Sequence, residues 1–205
     1  MNFMTSNEKE LEVVVTYKCN WNCSYCCVDT HNQPNIKLSE LKEKLDKIKR
    51  DYKGWNITLS GGEVGMMPYS EITMILEELK DFNLSLNTNG LFLKKYPELI
   101  ENFSDILYHA SPEMADRNVI LNLPDNVQYM IVISDENLKN LKDFLEYYKD
   151  IIFHLVPASN PEGIHKPILS KQNKFKILKQ FRQNATLESQ LRLISEKKFD
   201  EIVYL

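Results

Sequence analysis

The sequence predicts an α/β fold built on parallel strands, either a partial barrel or a doubly wound sheet. Short β-branched or apolar runs alternate with amphipathic helical runs along most of the chain, and such alternation implies right-handed βαβ units. The Gly- and Asn-rich turn chemistry falls at the ends of the predicted strands. A length of 205 residues suits a single domain.

Glu10–Tyr17 (ELEVVVTY) reads as a β-branched strand. Glu40–Lys53 reads as a helix with Ser39 as its N-cap and Leu41, Leu45 and Ile48 on one face. Trp55–Ser60 is a strand that ends at Gly61-Gly62. Tyr69–Phe82 is helical, with Ile72, Ile75, Leu76 and Leu79 on one stripe. Asn83–Asn87 is a short strand closed by Asn89-Gly90. Lys94–Asn102 reads as a helix with Pro97 limiting its first turn. Asp105–Ala110 is a strand, and Met114–Asn122 is a weak helix or loop. Val127–Ser134 and Ile151–Val156 are strands on either side of an amphipathic helix, Glu136–Lys149. Ser159–Pro167 is loop, Gln172–Gln183 and Thr186–Glu196 read as helices, and Phe199–Leu205 is a candidate last strand. The expectation is one domain over 1–205, with a core of about 10–165 and a helical extension of about 167–205.

Composition narrows the function. Hydrophobic residues make up 43% and charged residues 26%, which is ordinary for a soluble globular protein. Lys+Arg total 25 against 29 Asp+Glu, a net charge of −4, so no basic surplus points to nucleic acid. No apolar run approaches the roughly 18 residues of a membrane span. The polar start carries no signal-peptide stretch, so the expected location is the cytoplasm.

The cysteines are more informative. All four, Cys19, Cys23, Cys26 and Cys27, fall within nine residues. A disulfide framework would spread them to tie distant segments together. Clustered thiols in one loop suggest a soft metal or an iron–sulfur cluster in a reducing compartment. Cys19, Cys23 and Cys26 have the spacing C-x3-C-x2-C at the carboxyl end of the first strand, where ligands gather in either fold. Three thiolates can hold three corners of one cubane and leave one iron open. A structural zinc knuckle would need Cys27 or His31 as its fourth ligand.

The pattern Cys19-x3-Cys23-x2-Cys26, with Tyr25 before the third cysteine, resembles the signature of the radical S-adenosylmethionine (SAM) enzymes. Ser60-Gly61-Gly62-Glu63, after the second strand, resembles that family's second signature, with Val64 where many members have Pro. The resemblance implies a (β/α)6 partial TIM barrel, with a [4Fe–4S] cluster on the three cysteines and SAM chelating the open iron. It implies that Gly61, Gly62 and Glu63 contact the SAM amino group, and that Tyr25 lies at the cofactor. Carboxylate chemistry suits such a contact, and glycines let a backbone approach a ligand. At the later strand ends the resemblance implies His109 and Ser111 at the SAM ribose, Ser134 as a further cofactor contact, and Val156 and Pro157 at the adenine. Asn87, Asn89, His154 and His165 are substrate candidates, although Asn87–Gly90 also reads as an ordinary turn. Trp21 and Trp55 read as packing residues.

The activity implied is reductive cleavage of SAM and hydrogen abstraction by a 5′-deoxyadenosyl radical. The electron would come from a donor such as flavodoxin or ferredoxin. A small-molecule substrate such as a nucleoside or pterin-like compound is expected; within that class, the compact size, the short cysteine loop and the S-P sequence after strand four together resemble 7-carboxy-7-deazaguanine synthases. The alternatives are a glycyl-radical-enzyme activase, a peptide modifier, and a non-catalytic zinc-binding module.

Overall fold

The computed structural model describes residues 9–23, 26, 37–111, 123–134, 138–148, 151, 153–157 and 201–204. Seven strands form one parallel sheet: β1 (Glu10–Thr16), β2 (Asn56–Gly61), β3 (Asn83–Thr88), β4 (Asp105–His109), β5 (Val127–Ile133), β6 (Phe153–Pro157) and β7 (Glu201–Tyr204). The order across the sheet is β6-β5-β4-β3-β2-β1-β7. The first six strands run in sequence order, which is the partial-TIM-barrel arrangement. The helices are α1 (Leu38–Asp51), α2 (Tyr69–Glu78), α3 (Leu91–Lys95) and α4 (Leu138–Tyr147). No helix among the described residues is long and apolar enough to cross a membrane.

Paired residues in a parallel sheet share a face, and the faces alternate along each strand. One face carries Leu11, Val13, Ile57, Leu59, Leu86 and Ile106, which pack with the helices into the buried core. Within that core Leu41, Leu45 and Ile48 are the buried stripe of α1, and Ile72 and Ile75 that of α2. The opposite face carries Glu12, Ser60, Asn87, His109 and His154. It is the polar side of the sheet, and the Ser60 hydroxyl donates to Glu12 Oε1 at 2.6 Å.

Two expectations change. Helix α1 starts at Leu38, and Ser39 is not its cap. Lys37 takes that place, and its carbonyl accepts the Leu41 N–H at 2.9 Å. The predicted helix Lys94–Asn102 is instead two pieces, α3 and a 3-10 turn over Pro97–Asn102. Pro97 has no N–H to continue an α-helix, so it opens the second piece. At the C-terminal end the candidate last strand is β7, paired in register with β1 from Leu11↔Glu201 to Val14↔Tyr204, so β1 lies inside the sheet. The predicted helices at 172–183 and 186–196, and the segment 114–122, lie outside the described residues.

Candidate functional site

The carboxyl ends of β1, β2 and β3 meet at one corner, and a closed set of hydrogen bonds ties them to each other. The Gly62 N–H donates to the Thr16 carbonyl at 2.8 Å, and the Glu63 N–H donates to the Lys18 carbonyl at 2.8 Å. These bonds hold the turn after β2 against the segment that leads into Cys19. The two glycines are there for this approach. A Cβ on Gly61 would stand 2.2 Å from the Thr16 carbonyl oxygen, and one on Gly62 would stand 2.3 Å from that of Lys18. Gly61 also has φ +126°, which side-chain-bearing residues rarely adopt. What they approach in this structure is the backbone before the cysteine loop.

Glu63 makes the second link. Its side chain is 1% exposed. One carboxylate oxygen accepts the N–H groups of Gly65 at 2.9 Å and Phe92 at 3.0 Å. The other accepts the Asn89 N–H at 2.7 Å, and the Thr88 hydroxyl lies 2.9 and 3.0 Å from the pair. A carboxylate offers about four lone-pair positions, so these donors use its capacity. Thr88 reaches Glu63 because it lies on the helix-covered face, opposite to Asn87. Burial pushes the Glu63 carboxyl up, against the lowering pull of the Asn89, Gly65, Thr88 and Phe92 hydrogen bonds.

The third link closes the set. Asn89 Nδ2 donates to Asn20 Oδ1 at 2.9 Å and lies 3.6 Å from Cys19 Sγ. That sulfur also accepts the Trp21 N–H at 3.3 Å. Burial pushes the Cys19 thiol up, the Trp21 N–H draws it back, and the Glu63 charge adds to the rise.

Cys19, Cys23 and Cys26 are all part-buried, and none is in a disulfide. A turn in which the Cys26 N–H donates to the Cys23 carbonyl at 3.1 Å sets the spacing of the last two. Among the described residues no three His, Cys, Asp or Glu side chains stand close enough to share one ion. Thiolates on three corners of a cubane do not share an ion, and three accessible thiols on one loop are the soft donor set a cluster needs. The residues present therefore fit an iron–sulfur cluster.

The other predicted residues fall along the sheet. His109 ends β4 and lies in register with Met130, which is in register with His154 on β6. Burial pushes the His109 imidazole down to about 4 and also lowers that of His154. Ser111 and Ser134 are buried just beyond β4 and β5. Val156 and Pro157 occupy the end of β6, paired with Val132 and Ile133. Asn87 lies on the polar face beside Leu107. Trp55 packs against Tyr52 and under the Lys9 ammonium, 4.9 Å from its ring centre, as a packing residue should. Tyr25, Cys27, His31 and His165 lie outside the described residues. Sequence reasoning missed Thr88, the Phe92 N–H and the Asn89–Cys19 contact. The T-N-G turn marked the place but not the partners.

The model of the radical SAM superfamily matches residues 13–157. Among curated relatives, the chain is 29% identical over 144 residues to "Probable GTP 3′,8-cyclase" of Methanococcus maripaludis, covering 67% of this chain and 44% of that one. It is 32% identical over 89 residues to a protein provisionally named a glycyl-radical enzyme activating enzyme in Methanocaldococcus jannaschii, covering 43% and 34%. The chain thus spans less than half the length of these relatives. Among solved structures, anSMEcpe with bound AdoMet superposes with a TM-score of 0.64 at 15% identity, over 89% of this chain and 60% of that one. At that identity the likeness speaks for the fold.

Proposed function

The chain belongs to the radical SAM superfamily, a family of enzymes that use a [4Fe–4S] cluster and SAM, and from that membership we propose that Cys19, Cys23 and Cys26 hold the cluster here. When bound, the cluster and SAM together supply a reductively generated 5′-deoxyadenosyl radical that takes hydrogen from a substrate carbon. The observation that carries the reading is the closed corner of β1, β2 and β3, which fixes the loop bearing Cys19 to two neighbouring strand ends.

The chain's own residues do the positioning. Gly61 and Gly62 bring the second turn against the cysteine loop, and Glu63 braces it from within. The polar face running from Asn87 through His109 to His154 is the wall along which SAM and substrate would lie, with Ser111, Ser134, Val156 and Pro157 at its upper edge. A part-buried, neutral His109 would offer a hydrogen bond without adding charge beside a sulfonium. The electron would come from a donor such as flavodoxin or ferredoxin.

The substrate class proposed is a small molecule of the nucleoside or pterin kind. The family membership and the nucleotide substrate in the name of the Methanococcus maripaludis relative support it. The second reading, a glycyl-radical-enzyme activase, is favoured by the Methanocaldococcus jannaschii relative. One experiment separates the two. Reconstituted protein with SAM and dithionite is offered purine nucleotides in one arm and a glycyl-radical enzyme in the other. Consumption of the nucleotide in step with 5′-deoxyadenosine supports the first reading, and a radical signal on the protein partner supports the second.

A further inference from the structure

We propose that Asn89 is a positioning residue for Cys19. Its side-chain amide holds the first cysteine of the loop in place and donates to that sulfur, raising the reduction potential of a cluster bound there. The inference rests on the reading of Cys19 as a cluster ligand.

The orientation of the amide follows from a partner that cannot reverse. Asn89 Oδ1 accepts the Leu91 N–H at 3.2 Å, one of the first N–H groups of α3, which have no partner within the helix. A backbone N–H can only donate, so the oxygen belongs on that side and the NH2 on the other. The two hydrogens of Nδ2 then reach Asn20 Oδ1 at 2.9 Å and Cys19 Sγ at 3.6 Å. The second distance is ordinary for a nitrogen–sulfur contact, because sulfur is the larger atom.

The backbone of Asn89 is fixed as firmly. Its N–H is held by Glu63 at 2.7 Å, and the Gly90 N–H that follows donates to Thr88 Oγ1 at 3.0 Å. Asn89 therefore spans 70 residues of sequence to the cysteine loop from a support that cannot easily shift. The Trp21 N–H gives Cys19 Sγ a second donor at 3.3 Å. Hydrogen bonds to a ligating sulfur favour the more negative, reduced cluster and so raise its potential. Removing the Asn89 donor takes away the side-chain donor and leaves the backbone N–H groups of Trp21 and Asn20.

Asn89→Ser keeps a hydroxyl that can cap the Leu91 N–H but is too short to reach the sulfur. The test is iron and sulfide content followed by an EPR-monitored redox titration of the reconstituted protein. The variant is expected to carry the full cluster at a more negative midpoint potential than the parent. A fully loaded variant with an unchanged or more positive potential overturns the proposal. If Asn89→Ser does not fold, Asn89→Thr carries the same capping hydroxyl and is scored in the same way. A parent protein that binds no cluster through Cys19, Cys23 and Cys26 refutes the cluster reading itself, and that outcome is visible in the iron content before any potential is measured.

Discussion

Glu63 Oε2 accepts the main-chain N–H of Asn89 at 2.7 Å, joining the turn after β2 to the turn after β3 beneath the cysteine loop. The other donors on the same carboxylate come from Gly65, Thr88 and Phe92. A residue whose sequence context suggests ligand contact is, in the folded chain, the brace of three strand ends.

Glu63→Ala should therefore unfold more easily, by on the order of 4 kcal/mol, because three N–H groups and a hydroxyl lose their acceptor and each buried orphan costs about 1–3 kcal/mol. Glu63→Gln keeps the shape but sets an NH2 against the Asn89 N–H, and should cost about 2 kcal/mol. Urea unfolding of the apo-protein measures both. A Gln variant with an unchanged midpoint and weaker SAM binding would instead assign the carboxylate to the ligand.

Gly62→Ala places a methyl group 2.3 Å from the Lys18 carbonyl oxygen, where backbone rather than a flexible side chain must yield. Overpacking of this kind costs about 1–3 kcal/mol. The expected result is a lower midpoint in denaturant, together with reduced iron uptake because the loop bearing Cys19 is displaced. Gly54→Ala is the control for open space, since nothing lies within 4 Å of its added Cβ, although its φ of +82° carries its own strain.

His109 gives a pH dependence. Its folded-state value is about 4 against an ordinary 6.5, so the unfolded chain takes up this proton first as the pH falls. The stabilisation from keeping the imidazole neutral is complete above 6.5 and is lost progressively down to about 4. His109→Gln should flatten that part of the stability profile, as read from thermal midpoints between pH 7 and pH 4.

Leu86 is fully buried on the helix-covered face of β3. Leu86→Ala should cost about 3 kcal/mol in the same urea assay, within the range for a buried leucine. The strand carries the T-N-G turn, so reduced cluster retention should accompany the loss.

The parts of this fold that were legible in the sequence are those set by local pattern. The six strands and the stripe of Leu41, Leu45 and Ile48 follow from period and residue type, and the candidate last strand at 199–205 appears as β7. The break at Pro97 was marked by the residue, but its consequence depended on Gly90 letting α3 begin earlier, at φ +99°. At the site, the cysteine spacing stood out because clustered thiols have few other uses, and Gly61-Gly62, an ordinary turn by itself, gained its meaning beside them. What the glycines approach did not stand out, because the Thr16 and Lys18 carbonyls are ordinary backbone. The Glu63 partners lie up to 29 residues away, and no pattern of spacing announces a contact that tertiary packing creates.

The most direct test of the account is anaerobic reconstitution with iron and sulfide, followed by dithionite and SAM, with 5′-deoxyadenosine measured by mass spectrometry in the parent and in Cys19→Ala, Cys23→Ala and Cys26→Ala. The account predicts a brown protein that forms 5′-deoxyadenosine, with product lost in each variant. A colourless protein that holds zinc and forms none would contradict it.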